Sequence, residues 1–292
     1  MTRRPALALA LWMLALAVAA PALAQPAVDS AEACWRQRSR GFAVTATIDR
    51  EAVRCAVERL REAAQVDPRR LELALRRIEA LWFAAHFGAG DGDERRAWLD
   101  EAVAVADAAV AEVTRQAGGR EIDATRPEQV AALRAVPAAG AVHFFAAVAW
   151  GEWGMQRGWL ASASNGVAGR LRRHAELAAQ LAPELRAGGG LRLLGRLHAT
   201  LPRLPLVTSW VDRRRGLELL RQAIAVSRDD PRNALFLAEA ILDQEPRRRD
   251  EARALLEELA ARSPAAEELV EQSETLATAR ALLARLRAEE KR

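Results

Sequence analysis

The stretch Pro183–Arg214, PELRAGGGLRLLGRLHATLPRLPLVTSWVDRR, decides how the rest of the chain is interpreted. It begins like a helix, stops at three glycines and restarts as LRLLGRLHATL. It then enters a Pro-rich, apolar connection over residues 202–210 before helical periodicity resumes at Val211. Apolar residues in a loop are either buried or face a partner. We therefore expect function to reside in this connection, with the surrounding helices as its scaffold.

Gly195 and Gly216 fit the small-residue positions of the two helices of one tetratricopeptide repeat. The consensus separates these positions by roughly twelve residues, whereas here they are 21 apart in the sequence. The difference predicts an insertion at about 201–211, between the two helices of the repeat. Insertions in repeat arrays often lie on the binding face.

Other parts of the chain match the same repeat. Two segments place a small residue, a large apolar residue and a closing proline at the spacing of a second repeat helix: Ala56, Leu60, Ala63 and Pro68, and later Ala252, Leu256 and Pro264. One helix pair cannot bury its apolar face alone, so neighbouring pairs must stack. The sequence predicts an all-α fold, a divergent tetratricopeptide-like array of helix pairs (an α-solenoid). The alternative is an ordinary helical bundle, in which Ala and Leu also recur.

The composition supports a helical fold and bears on the partners. Ala, Leu, Arg and Glu dominate the 292 residues, and Gly and Pro mark the breaks. The formal net charge is only +4, so we expect no nucleic-acid partner. Local runs such as Arg170–Arg173 and Arg213–Arg215 are interpreted as solvated faces, with contact to anionic lipid or an acidic partner as the alternative.

The N-terminus has the pattern of a secretory signal peptide. A positively charged start and an apolar run precede the Ala-Leu-Ala of residues 22–24, which fits signal peptidase. We expect residues 1–24 to be removed and 25–292 to form a single all-helical, periplasmic domain. Gln25, rather than Cys, follows the cleavage site, so the sequence is not that of a lipoprotein.

Cys34 and Cys55 are the two cysteines of the chain. An isolated pair usually bonds in an oxidising compartment. We therefore predict a disulfide that ties the N-terminal segment to the first clear helix. Metal binding is the weaker alternative, because no CxxC motif is present.

The segment Ala138–Gly166 is the most aromatic part of the chain, and three glycines interrupt it. Its tryptophans, Trp150, Trp153 and Trp159, have two interpretations. They are either core packing or, together with Trp210 of the insertion, the wall of an apolar ligand cavity.

The sequence contains no convincing catalytic motif. The histidines have no HExxH or paired spacing, and no serine lies in a GxSxG turn. The three glycines at 188–190 are followed by Leu191 and Arg192, not by the Lys and Ser or Thr of a phosphate-binding loop. We predict no enzyme, no metal and no cofactor. An anion could still dock at the N-terminus of the helix that follows the glycines, beside Arg192 or Arg196.

Three stretches carry a resemblance to a known family: AVHFFAAVAWGEWG at 141–154, GGGLRLLGRLHATLPRLP at 188–205 and DDPRNALFLAEAIL at 229–242. Over residues 140–264 the chain resembles the TRAP transporter-associated tetratricopeptide proteins, the TatT-like family. The positions that match its motif are Gly188, Gly189, Gly195, Arg196 and Pro202.

The resemblance implies a periplasmic, non-catalytic accessory of a tripartite (TRAP-type) solute importer. Its partners would be the solute-binding subunit and an apolar or carboxylate small molecule. Arg196 is then the candidate anchor for a carboxylate, because a cation amid apolar walls suits that group. The alternative is a cell-envelope scaffold that grips a protein or peptide partner without a small ligand. The oligomeric state is left open, a homo-oligomer included.

Overall fold

A computed structural model describes residues 24–119 and 123–289. Within these ranges all regular secondary structure is helical, and helices that follow one another in the chain pack together, which confirms the all-α prediction. The chain divides into two compact units, Met1–Glu112 and Val113–Arg292. The prediction of a single domain over 25–292 stays a prediction. Apart from Ala24, the predicted signal peptide lies outside the described residues.

The described part of the first unit is made of helices joined by short turns. They are α1 (residues 24–37), a single turn at Phe42–Thr45, α2 (Arg50–Val66), α3 (Leu71–Phe83) with a π-helical turn at Ala84–Gly88, and α4 (Gly92–Gln116), which begins in this unit. The Asp49 side chain caps α2 by accepting a hydrogen bond from the backbone N of Ala52 at 3.0 Å. The helix ends just before Asp67-Pro68, because Pro cannot continue it.

The repeat positions of α2 lie on the buried face of this helix. Ala56, Leu60 and Ala63 are all buried on this helix, which packs against α3. The small residues allow the helices to approach, and Leu60 supplies most of the apolar area removed from water.

A disulfide joins Cys34 of α1 to Cys55 of α2, with the two Cα atoms 5.9 Å apart. The predicted pairing is confirmed. The bridge closes a loop with a sequence separation of 21 residues and so ties α1 to the rest of the first unit.

We expect the double substitution Cys34→Ser with Cys55→Ser to lower the free energy of unfolding by about 3 kcal/mol, the chain-entropy value for a loop of this length. Urea unfolding followed by circular dichroism measures it. The wild-type protein, reduced before unfolding, is the control and should lose a similar amount. An unchanged free energy of unfolding in both samples would contradict the prediction.

The second unit is a run of helices that pack neighbour on neighbour. They are α5 (Pro127–Arg134), α6 (Ala139–Ser164), α7 (Val167–Leu181), α8 (Gly189–Thr200), α9 (Arg213–Val226), α10 (Pro231–Gln244), α11 (Arg249–Ala260) and α12 (Leu269–Glu289). Consecutive helices of this run contact each other, as the helix pairs of a repeat array do. Ala252 and Leu256 of α11 are fully buried, as the repeat assignment requires.

Helix α6 has one break rather than three. Gly158 leaves the helical conformation, with φ 81° and ψ 176°, whereas Gly151 and Gly154 remain helical. Gly154 instead makes room for a neighbour, since a Cβ there would lie 3.0 Å from Cγ1 of Val167. No single helix among the described residues is long and apolar enough to cross a membrane, although α5 and α6 taken together, bent by 106°, meet the length and composition criteria.

Helices α8 and α9 approach each other backbone to backbone at two glycines. A Cβ on Gly195 would lie 2.9 Å from Cγ of Leu220, and one on Gly216 would lie 2.8 Å from the backbone N of Ala199. Real Cβ atoms do not approach neighbours this closely, so the two backbones touch only because both positions are glycine. The two positions assigned to one repeat therefore face each other.

Candidate functional site

Residues 201–212, here called the insertion loop, connect α8 to α9 at the predicted insertion. The loop is closed by Thr208, which is 4% exposed. Its hydroxyl donates to the carbonyl O of Pro202 at 2.6 Å and accepts from the backbone N of Leu204 at 2.8 Å. Its own N donates to the carbonyl O of Leu204 at 3.0 Å. The three hydrogen bonds of Thr208 thus give the loop a defined conformation.

His198 of α8 anchors the end of the insertion loop. Its Nδ1 accepts a hydrogen bond from the backbone N of Asp212 at 3.0 Å, and its ring meets the Trp210 ring edge-on with centroids 5.2 Å apart. Burial, reinforced by the charge of Arg172, lowers the pKa of His198 below its ordinary value. Only the neutral ring can accept this hydrogen bond at Nδ1. The contact between His198 and the end of the insertion loop is therefore present at neutral pH.

A groove of about 950 Å³ opens beside the insertion loop. Its walls come from residues 123–129, from the turn between α6 and α7, from α7 and from the loop itself. Four of the lining residues are arginines, and we name the site the arginine groove after them: Arg126, Arg170, Arg172 and Arg173. Two carboxylates, Asp123 and Glu176, are among the lining residues as well. The lining is therefore net basic.

The arginines are held in place by neighbours on the groove wall. Arg172 lies 2.8 Å from a carboxylate oxygen of Glu176, and its guanidinium carbon lies 5.2 Å from the centre of the Trp210 ring. Arg170 donates to the carbonyl O of Asn165 at 3.2 Å. These contacts restrict the directions of the Arg170 and Arg172 guanidinium groups.

The N-terminus of α7 adds to the positive potential of the groove. Gly166, a lining residue with φ 62°, precedes the helix, and no side chain caps it. Gly169, one turn on, also lines the groove, and a Cβ there would meet nothing within 4 Å. The first N–H groups of a 15-residue helix therefore add a partial positive charge beside the arginines.

The predicted tryptophans do not share one cavity. Trp150 is 5% exposed and meets Trp153 edge-on, with centroids 5.5 Å apart. Trp159 is 80% exposed, beyond the break at Gly158. Among the four, Trp210 is the one that lines the arginine groove. Trp150 therefore packs in the core, and the aromatic segment spans both interior and surface.

Arg196 lies away from the arginine groove. It lines a separate cavity of about 320 Å³ between α8 and α10, where it forms an ion pair with Glu239 and its guanidinium carbon lies 4.0 Å above the centre of the Phe236 ring. A ligand carboxylate would have to compete with Glu239 for the same guanidinium. Arg172 of the arginine groove is paired in the same way, with Glu176, but that groove is lined by more arginines than carboxylates. The role of Arg196 as a carboxylate anchor stays a prediction, and the groove is the second candidate for an anion.

The other motif residues have structural roles at the start of α8 and in the insertion loop. Gly188 has φ 80° and starts α8, while a Cβ on Gly189 would lie 2.5 Å from Cε2 of Phe144. Pro202 supplies the carbonyl that accepts the Thr208 hydroxyl. These positions explain how α8 and the insertion loop are seated, and they bring no ligand-binding group to the groove.

Two buried histidines, His143 and His174, form a pair that no motif in the sequence predicts. Nδ1 of His143 on α6 and Nδ1 of His174 on α7 lie 2.9 Å apart, so one ring donates and the other accepts. Burial, with the charge of Arg173 adding to it, lowers the pKa of His143 to about 4, and burial together with the neighbouring His143 lowers that of His174 to about 3. The pair is neutral at pH 7. Within the described residues no group of three or more metal-ligating side chains is present.

No protein-family model matches the chain, and no curated protein sequence matches it. The resemblance to the TatT-like family stays a prediction. The candidate site therefore rests on the geometry of this chain.

Proposed function

We propose that the protein is an exported, non-catalytic binding scaffold, an accessory of a TRAP-type solute importer that holds a carboxylate ligand in the arginine groove and contacts the solute-binding subunit. The observation that carries the ligand-binding part is the groove itself, with four arginines against two carboxylates in about 950 Å³. Guanidinium groups bind carboxylates through paired, charge-assisted hydrogen bonds. The importer assignment is supported by the resemblance of residues 140–264 and by the secretory pattern of residues 1–24.

The lining of the groove is suited to holding an anion. Trp210 and Val207 give it an apolar wall, and Gln129 and Asn165 add neutral hydrogen-bonding groups. No histidine, serine or cysteine is among the described residues that line it. A carboxylate with an apolar chain matches both the cations and the apolar wall, which favours this class of ligand.

Tryptophan fluorescence tests the proposal, because Trp210 lies on the wall of the groove. The protein is titrated with a panel of mono- and dicarboxylates and of longer fatty acids. We expect a saturable change with at least one compound. Since Arg172 contacts Trp210 and supplies one of the four cations, Arg172→Gln should weaken that binding roughly tenfold or more, equivalent to about 1.4 kcal/mol.

Arg247→Gln is the matched control. It removes the same charge from an exposed arginine outside the groove lining, between α10 and α11, and should leave the affinity unchanged. Equal weakening in both variants would show only a long-range charge effect. No saturable change across the panel, in protein that is folded by circular dichroism, would overturn the small-ligand proposal and favour the scaffold for a protein or peptide partner.

A further inference from the structure

Two segments of the second unit expose large apolar side chains. At the end of α6, Met155, Trp159 and Leu160 are 72%, 80% and 68% exposed, and on the insertion loop Leu204, Leu206 and Val207 are 48%, 100% and 51% exposed. We call these six residues the apolar tip. Both segments lie near the arginine groove, because its lining includes Asn165 and Gly166, which follow the first segment in the chain, and Val207 of the second.

The first segment contains a helix break that hydrogen bonds stabilise. Gly158 interrupts α6 with φ 81°, and the Ser162 hydroxyl folds the last turn back by hydrogen bonding to the carbonyl O of Gly154 at 3.0 Å and of Gly158 at 2.8 Å. Trp159 follows the break directly. Its exposure is thus a consequence of a defined local structure.

The second segment holds a leucine in a conformation that leucine disfavours. Leu206 has φ 66° and is fully exposed, inside a loop that Thr208 closes. The left-handed region is sterically unfavourable for a residue with a Cβ, and a leucine side chain in water brings no compensating burial. A strained, solvent-exposed apolar residue on a rigid loop indicates a contact made outside the chain.

The charges around the apolar tip are mainly positive. Between Glu152 and Glu176 the chain carries four arginines and no carboxylate. In the insertion loop Arg203 directly precedes the exposed Leu204. Arg213–Arg215, which follow Asp212, pair with Asp243 and Glu218 and add little to this charge. Asp123 and Glu176 in the groove offset part of this charge but leave an excess of arginines. A surface that joins apolar side chains with an excess of cations is complementary to a partner that is anionic and apolar beneath.

We propose that the apolar tip docks on the surface of an anionic lipid bilayer. Trp159, Leu160 and Leu206 would enter the interfacial region, where tryptophan and leucine partition favourably, and the surrounding arginines would meet headgroup phosphates. A bilayer is favoured over a protein partner, because the exposed apolar side chains come from two separate segments and the charges near them are mainly cations, which suits a deformable anionic surface. Docking would place the mouth of the arginine groove beside the membrane.

Vesicle co-sedimentation of the full-length exported protein tests this inference. The probe is phosphatidylcholine vesicles containing about 30 mol% phosphatidylglycerol, compared with phosphatidylcholine alone. We expect at least about tenfold tighter association with the anionic vesicles, a blue shift of tryptophan emission on binding, and weakening by added salt. The double variant Trp159→Gln with Leu206→Asn should lose at least about tenfold of that association, since both side chains are exposed and Asn tolerates a positive φ.

Val44→Gln is the matched control, because Val44 is 91% exposed in the first unit and its replacement removes exposed apolar surface elsewhere. It should bind vesicles as the wild type does. Equal sedimentation of wild type and double variant would overturn the inference, as would no preference for anionic vesicles. The inference would also be overturned if the wild type self-associated without lipid and the double variant did not, because the occupant would then be a second copy of the chain.

Carboxylate titration of the double variant distinguishes the two proposals, because the two replaced residues are not in the lining of the arginine groove.

Discussion

Gly190→Ala should destabilise the protein by about 2–3 kcal/mol or more, although alanine is the better helix former by about 1 kcal/mol. Gly190 lies in the first turn of α8 against α7. A Cβ at this position would lie 2.6 Å from the backbone N of Ala179 and 2.9 Å from the carbonyl C of Ala178. Because the obstructing atoms are backbone, no side-chain rotation relieves the overlap, and the two helices must separate.

Urea unfolding followed by circular dichroism measures this effect, and Gly169→Ala is its control. Gly169 is also in the first turn of a helix, α7, but a Cβ there meets nothing within 4 Å. The same substitution should therefore raise the free energy of unfolding by up to about 1 kcal/mol. Destabilisation of similar size at both positions would show that the close approach at Gly190 does not decide the result.

The three glycines show where sequence reasoning stops. Their run predicts a tight turn followed by an exposed helix start, and Gly188, with φ 80°, makes that turn. Gly189 and Gly190 lie inside α8 and are needed for contacts with Phe144 and with α7. A turn is a local property that the sequence encodes directly, whereas a contact with another helix, such as those with Phe144 and Ala179, depends on the packing of the whole unit.

The same limit separates the predicted fold from the candidate site. Caps, proline stops and the matched glycines of α8 and α9 are local or follow the repeat spacing, and they could be predicted. The arginine groove is assembled from residues 123–129, 165–176 and 207–210, and no spacing in the sequence signals that these segments meet. Likewise, the aromatic content of α6 could not distinguish buried Trp150 from exposed Trp159, because the break at Gly158 changes which side faces the core.

A buried polar network connects two of the stretches that carry the family resemblance, GGGLRLLG and DDPRNALF. Arg192, 4% exposed, donates from Nη1 to Oδ1 of Asn233 at 2.8 Å and to Oδ2 of Asp230 at 3.3 Å. The Asn233 amide in turn donates to the carbonyl O atoms of Ala187, Ala223 and Ser227 at 2.8–3.0 Å. The network thus ties the start of α8 to the end of α9 and the start of α10.

Arg192→Met should therefore lower the free energy of unfolding by about 3–5 kcal/mol, the usual result of removing one partner of a buried ion pair. Asp230 would remain buried with a weaker counter-charge, and Asn233 would lose the donor to its Oδ1. Urea unfolding at neutral pH, followed by circular dichroism, measures this decrease in the free energy of unfolding. Since burial lowers the pKa of Arg192 only to about 10, the wild-type side chain is charged under these conditions.

The pH dependence gives a second readout of the same substitution. Burial opposes ionisation of Asp230, but a hydrogen bond from Arg232 and the charges of Arg192 and Arg232 outweigh it, so its pKa lies below the ordinary value. A lowered carboxyl pKa contributes stability that is present above the unfolded-state pKa, near 4, and is lost as the pH falls through the folded-state pKa. Without Arg192 the folded-state pKa should rise, and the contribution of Asp230 should be smaller and should disappear at a higher pH.

Arg196→Met is the control that distinguishes packing from binding in this motif. Arg196 lies one turn further along α8, and its ion pair with Glu239 is about one-third exposed on each side. Exposed pairs contribute about 0–1 kcal/mol, so Arg196→Met should be nearly neutral for stability. If both substitutions destabilised the protein equally, the buried network would not be what holds α8 to α10. If only Arg192→Met does, the Gly-Gly-x-Leu-Arg match reports the packing of the helix array, and ligand binding must be sought in the arginine groove.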